Sequence, residues 1–410
     1  MEKSVRTVGT VIRGIRTPII KQGDNLVDIV AKSVLNCAEN ENIAFHDKDV
    51  IGVTEAVVAR SQGNYVSIDD IAADIKEKFG GENLELGVVF PILSRNRFAM
   101  ALKGIALAAK KIYLMLSYPS DEVGNQLVDM ELYEDKIDSG ELQSINVCLD
   151  EKKYRELFGF YTHLFTGVDY VEYYKNLIKE CGAQVEVVFS NNCGDILNYT
   201  SNVIACDIHT RKSTKRRINK KAEKEGRKVK VLSLDDICTK SVNGSGYNEK
   251  YGLLGFNKST ETTLKLFPRN CENFVESLAK KLREATNKQI EVLIYGDGAF
   301  KDAQGKIWEL ADPVVSPAYT KGLEGVPNEI KLKYLADNKF KDLRGEELDS
   351  AVKEYIKNKA SDLKGSMESM GTTPRKITDL LGSLCDLSSG SGDKGTPVIL
   401  IQGYFDNISS

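Results

Sequence analysis

A chain of 410 residues, 41% hydrophobic and 28% charged, has the composition of a globular protein and the length of two or three domains, which excludes wholesale disorder and an extended coiled coil. Its formal charge of -3 gives no chain-wide attraction to nucleic acid, so a basic site would have to be local. The eight cysteines, at 37, 148, 181, 193, 206, 238, 271 and 385, include no CxxC pair, which argues against zinc ribbons and dithiol redox motifs and leaves free thiols in a reducing, cytoplasmic compartment as the expectation.

The N-terminus carries no long apolar core, and no apolar run reaches the roughly 18 residues of a membrane span. A strand is expected at Thr7 to Ile12, followed by the loop GIRTPIIKQGDNL, in which Pro18 and Gly23 mark ordered turns. Asp24 or Asn25 is placed to cap a helix running to Cys37, whose Leu26, Ile29, Val30 and Val34 share one face. Lys21 falls in the loop before that helix and faces either phosphate or water. Next, Asp49 to Asn64 reads as a central strand by its β-branched residues and runs into Arg60 and Gly63. Arg60 is either a phosphate ligand or a snorkelling surface cation.

From residue 90 to 246 the character of the chain changes and a second or inserted α/β domain is expected. Ser94 to Leu116 predicts one long helix, with Arg95 and Arg97 in its first turn. Cations there oppose the macrodipole, so they either hold an anion, such as a substrate carboxylate, or face solvent. Gln184 to Ser190, Asn202 to Ile208 and Lys228 to Leu234 read as strands. Between them, Arg211 to Lys230 holds eleven Lys or Arg against Glu223 and Glu225. Without interleaved aromatics it reads as a solvated helix face sooner than as a nucleic-acid surface. His46, His163 and His209 stand at no metal-ligand spacing.

After residue 247 the loop LGFNKST, with Asn257 and Thr260, precedes a short strand, and Asn270 is placed to cap an amphipathic helix. The buried strand Ile290 to Tyr295 then delivers Gly296, Asp297 and Gly298 at its tip, with Asp302 and the Gly305-Lys306 turn beyond. Two carboxylates beside glycines suit Mg²⁺ or Mn²⁺, although Asp and Gly are also ordinary turn formers. Ile330 to Lys364 has a charged helical pattern, a surface cover. Near the end, Gly390, Ser391, Gly392, Asp393, Lys394 and Gly395 form a glycine-rich turn that can present amides to phosphate, ahead of a strand from Pro397 to Gln402. Lys394-Gly395 rules out a Walker A loop.

Several of these pieces, in this order, resemble the γ-glutamyl ligases of coenzyme F-420 biosynthesis. GIRTPIIKQGDNL looks like the family's N-terminal loop, DVIGVTEAVVARSQG its following strand with Arg60 in place of a nucleotide-contacting lysine, LGFNKST its metal-binding loop, DAQGKIW its aspartate-glycine-tryptophan element, and GSGDKGTPVILIQG its closing glycine loop. The resemblance implies a mixed α/β, non-P-loop core built from both chain ends, residues 1–89 and 247–410, with 90–246 inserted, and a homodimer. It further implies GTP or ATP as co-substrate with Mg²⁺ or Mn²⁺, and L-glutamate joined to a carboxylate-bearing small molecule through an acyl phosphate. Asp297, Asp302 and Asn257 would hold metal. Lys21, Arg60, Thr260 and the turn 390–395 would meet the nucleotide, and Arg95 or Arg97 the acceptor. Departures are visible: Asn257 replaces the loop aspartate, Thr260 an asparagine, and Ser391 or a neighbour the acid of the glycine loop. The strand acid is Asp297 by position and Asp302 by motif register. A folate-type acceptor, or a non-catalytic nucleotide- or RNA-binding role, is the alternative.

Overall fold

In the computed structural model the described residues are 7–81, 83–144, 147–242, 248–296, 312–372, 375–390 and 392–409. Among them the chain forms three sheets joined by helices, a mixed α/β architecture.

The first sheet draws on both chain ends. Its strands lie in the order Val11–Ile15, Val398–Gln402, Val50–Thr54, Glu291–Tyr295 and Ala318–Tyr319. Val50–Thr54 and Glu291–Tyr295 run parallel, with Thr54 in register with Tyr295, and the remaining pairings are antiparallel. The period-2 alternation of these strands fills two separate cores. Ile51, Val53, Val292, Ile294, Val398 and Leu400 pack under helices Leu26–Asn40 and Cys271–Thr286. Val50, Leu293, Tyr295, Ile399 and Ile401 face Leu381 and Cys385 of helix Ile377–Ser388. That helix lies so close to the sheet that a Cβ on Gly52 would stand 2.3 Å from the Cys385 Sγ. Gly52→Ala is therefore expected to cost about 1–3 kcal/mol through overpacking, read as a lower urea midpoint.

The first helix begins where expected, with the Asn25 side chain accepting from the Asp28 amide. Asn270 precedes the helix Cys271–Thr286 in the left-handed conformation and makes no side-chain cap. Two other expectations need correction. The stretch read as a strand from Asp49 onward turns at Thr54 into the helix Glu55–Ser61, so Arg60 stands on a helix. At seven residues this helix is too short for periodicity to distinguish from a buried strand. The long helix expected at Ser94 to Leu116 is instead helix Phe98–Ala108 followed by strand Ala109–Leu116. Ile112, Leu114 and Leu116 pack on one face of that strand and Tyr113 and Met115 on the other. A strand buried on both faces reads as a continuous apolar run, as a buried helix does.

The second sheet contains six strands in the order Leu149–Asp150, Gln184–Phe189, Ala109–Leu116, Leu84–Val89, Asn202–Ala205 and Lys230–Ser233. All pair in parallel except the edge strand Leu149–Asp150. In chain order the five parallel strands lie third, second, first, fourth, fifth, a doubly wound arrangement whose order reverses between Leu84–Val89 and Asn202–Ala205. Leu84–Val89, assigned from sequence to the terminal core, thus starts this sheet. Tyr251, Leu253, Leu254, Phe256, Leu264 and Phe267 also belong to its hydrophobic core. The third sheet is small, with strands Asn257–Lys258, Thr263–Lys265 and Tyr65–Ser67.

Among the described residues no helix is long and apolar enough to cross a membrane.

Candidate functional site

The antiparallel third sheet sets Asn257 opposite Lys265 and Lys265 opposite Tyr65. Residues opposed in this way share a face, and all three line a cavity of about 460 Å³, within the usual size of a small-molecule site. The alternation that aims Lys265 at the cavity buries Leu264 and Leu266. One wall is helix Glu55–Ser61, which contributes Ala56, Val57 and Arg60. Residues 17–20 and the glycine turn, through Gly390, Gly392 and Gly395, complete the lining.

Backbone contacts hold these segments together. The Thr17 amide donates to the Gly395 carbonyl at 3.4 Å and the Thr54 amide to the Pro397 carbonyl at 3.0 Å. The buried Asn64 Nδ2 donates to the Phe267 carbonyl at 2.6 Å, tying the chain just after helix Glu55–Ser61 to the end of the third sheet. The helix starts at the carboxyl end of Val50–Thr54, beside the parallel strand Glu291–Tyr295, and strand ends of this kind are where α/β sheets open crevices for ligands.

Around Lys265 lies a cluster of four charges, of which the sequence singles out Arg97 alone. Lys265 Nζ donates to both carboxylate oxygens of Glu55, at 2.5 and 2.6 Å, and both residues are buried. Arg97 donates through Nη1 to Asp312 Oδ1 at 2.9 Å, with the Asp312 side chain 1% exposed. Burial pushes the Glu55 carboxyl upward; the Lys265 ammonium opposes that, Asp312 adds to it and Arg97 opposes it. Arg97 ends the loop that follows strand Leu84–Val89, and the Asn96 carbonyl in the same loop accepts from the Lys258 amide at 2.7 Å. The reversal point of the doubly wound sheet therefore abuts the cavity.

Of the residues expected from sequence, the structure brings together Arg60, Asn257, Gly390, Gly392 and Gly395. Lys21 is exposed outside the lining, its amide donating to Asp24. Thr260 is spent on a turn, its hydroxyl 2.7 Å from that of Thr263. Asp393 and Lys394 are exposed and do not line the cavity. Arg95 is exposed, close enough to His163 and Tyr170 for its charge to act on both, and Arg97 is engaged by Asp312. Asp297, Asp302 and Ser391 lie outside the described residues. The basic segment forms helix Arg211–Lys224, partly neutralised by pairs of Arg211 with Asp235, Lys215 with Asp236 and Lys221 with Asp195.

The described lining holds three cations, Arg60, Lys258 and Lys265, and no carboxylate. Among the described residues no group of three or more His, Cys, Asp or Glu side chains gathers in metal-binding geometry. Of the expected metal ligands, the described part of the site supplies Asn257, a neutral amide beside an ammonium. An amide beside an ammonium does not by itself hold a hard divalent cation, which takes carboxylate oxygens, and the expected acids Asp297 and Asp302 lie outside the described residues. The three cations fit an anion, since ammonium and guanidinium groups donate to phosphate oxygens. Two further cavities of about 450 Å³, one lined by residues from 326–332 and 404–408 and one by residues 248–251 and 269–272, gather none of the motif segments.

A model of the family described as F420-0:Gamma-glutamyl ligase matches residues 14–403. The match runs through the middle block, residues 90–246, as well as both chain ends. No curated protein matches the chain.

Proposed function

The chain belongs to the F420-0:gamma-glutamyl ligase family, and on that premise we propose that it uses a nucleoside triphosphate to join L-glutamate to a carboxylate-bearing small molecule. The observation that carries the nucleotide half of this reading is the cation-lined, glycine-edged cavity with Arg60, Lys258 and Lys265 on three different segments.

Carboxylate and amine do not condense unaided in water. In the proposed reaction an acceptor carboxylate oxygen attacks the γ-phosphorus, the bridging P–O bond breaks, and nucleoside diphosphate leaves. The glutamate amine then attacks the acyl carbon of the resulting acyl phosphate, inorganic phosphate departs, and the amine loses a proton as the amide forms. Little covalent chemistry is required of the protein, whose task is to position the reactants and offset their charge. Arg60 and Lys258 suit the phosphates at the rim, Lys265 the most deeply placed phosphate, and the Gly392 amide a remaining oxygen. A guanidinium also matches an acceptor carboxylate bidentately, a role open to exposed Arg95.

Arg60→Ala is expected to weaken GTP or ATP binding by about 10- to 100-fold, the worth of a charge-assisted hydrogen bond, whereas Lys21→Ala, outside the lining, leaves it unchanged. Isothermal titration reads both. For the reaction itself, the measurement is phosphate release from GTP or ATP that needs both glutamate and an acceptor, tested with deazaflavin- and folate-type carboxylates. Release that is indifferent to glutamate would overturn the ligase reading.

A further inference from the structure

We propose that the outward face of helix Arg211–Lys224 is a docking surface for the phosphate backbone of double-stranded RNA, bound without regard to base sequence. This surface lies outside the nucleotide cavity and does not depend on the ligase reading.

By composition the segment suits a solvated face, and its arrangement in the fold argues for more. Thr214, Ile218 and Ala222 are buried, and Ile218 and Ala222 pack into the core of the doubly wound sheet with Val89, Tyr113 and Val203. Arg211, Lys215 and Lys221 flank that buried side and pair with Asp235, Asp236 and Asp195. At about 100° per residue, Lys212, Arg216, Lys220 and Lys224 fall on the opposite side, in one i, i+4 ridge about 18 Å long. All four are exposed, as is Arg217 beside them, and none of the five makes an ion pair among the described residues. Glu223 is the helix's one acid. The ridge works against its own helix. Like charges at i, i+4 repel, and a first turn with Arg211 and Lys212 and no acid opposes the macrodipole. In a chain of formal charge -3, so many unpaired cations on one outward face are offset when a polyanion covers them.

The same segment selects the polyanion. Residues 211–230 contain no Phe, Tyr or Trp, whereas single strands are held by bases stacked on aromatic platforms. Protein partners are held by buried Tyr, Trp and Met anchors in interfaces from which Lys is depleted. An anionic membrane takes up the apolar face of an amphipathic helix, and here that face is sunk in the domain. A helix that reads B-form DNA enters the major groove with residues for base edges. A half-embedded ridge of Lys and Arg meets phosphates alone, which suits duplex RNA, whose deep, narrow major groove side chains cannot read.

The test is fluorescence anisotropy of the full chain with a labelled RNA duplex of about 20 base pairs and arbitrary sequence, between about 50 and 200 mM KCl. The ridge variant combines Lys212→Gln, Arg216→Gln, Lys220→Gln and Lys224→Gln, which removes repulsion and leaves the buried face of the helix intact. A control of equal net charge combines Lys32→Gln, Lys333→Gln, Lys341→Gln and Lys357→Gln, exposed lysines elsewhere. Wild type and control are expected to bind and to lose about 100-fold in affinity over that salt range, as for roughly four phosphates neutralised. The ridge variant is expected to bind at least about tenfold more weakly at low salt, with a salt slope shallower by about 3. A ridge variant that binds as the control does overturns the inference, and so does a wild type that fails to bind at low salt. Binding of duplex DNA, single-stranded RNA or poly-L-glutamate at least about tenfold tighter than of duplex RNA, against a common backbone electrostatic contribution, overturns it as well. Each of these outcomes leaves the nucleotide reading standing.

Discussion

Replacing Glu55 with alanine is expected to destabilise the protein by about 3–5 kcal/mol, the usual result of removing one partner from a buried ion pair. The magnitude follows from what remains. Lys265 is buried, its ammonium is held at 2.5 and 2.6 Å by the two Glu55 oxygens, and alanine would leave that charge facing the end of an apolar strand with Arg97 nearby. A buried pair is weak support for stability against a hydrophobic alternative, so the double replacement of Glu55→Leu with Lys265→Met should recover most of the loss. Urea unfolding followed by far-ultraviolet circular dichroism measures both. If Glu55→Ala costs less than about 1 kcal/mol, the range of an exposed pair, the ion pair is solvated in solution and does not hold Lys265 at the cavity.

This pair also shows where the sequence was readable. Segments whose pattern is set by the backbone were recognisable: the Asn25-capped helix, the strand ending at Tyr295, and the strand from Val398, each with one period and a turn residue at its end. The motif order brought Arg60, Asn257 and the glycine turn to one place because each lies on a loop or element end next to a strand of the first or third sheet. Glu55, Lys265 and Asp312 were not selected, since a charged residue in a chain is ordinarily at the surface, and Arg97 was singled out for a substrate carboxylate where it meets Asp312. A signal did exist for Lys265. In the run TLKLF a lysine sits between two leucines, and alternation puts it on the opposite face from Leu264 and Leu266. What alternation alone does not say is whether that face meets water or a ligand, which depends on the strands and helix brought over it from residues 55–65 and 257–258. Glu55 was hidden by a helix of seven residues inside an apparently continuous strand.

The second large effect is expected at Asp312, where alanine should cost about 3–5 kcal/mol for the same reason as at Glu55. Its partner Arg97 comes from 215 residues earlier, at the start of helix Phe98–Ala108. A guanidinium there opposes the helix macrodipole, and its side chain makes no cap, so Arg97 is costly to its own helix. The compensating charge is Asp312, which lies so close to the chain at the tip of strand Glu291–Tyr295 that a Cβ on Gly296 would meet its Oδ2 at 2.3 Å. The pair thus joins the reversal point of the doubly wound sheet to the strand end beside the cavity. A double-mutant cycle of Arg97→Met and Asp312→Leu should return a coupling of about 1.5–3 kcal/mol, within the range for directly contacting residues. Gly296→Ala, which has to push Asp312 aside, should reproduce part of the loss with Arg97 untouched. Should the two single replacements prove additive, the two halves of the site are not joined through these charges. Their relative position would then be set by the backbone contact between Asn96 and Lys258 and by apolar packing from Tyr251 to Phe267.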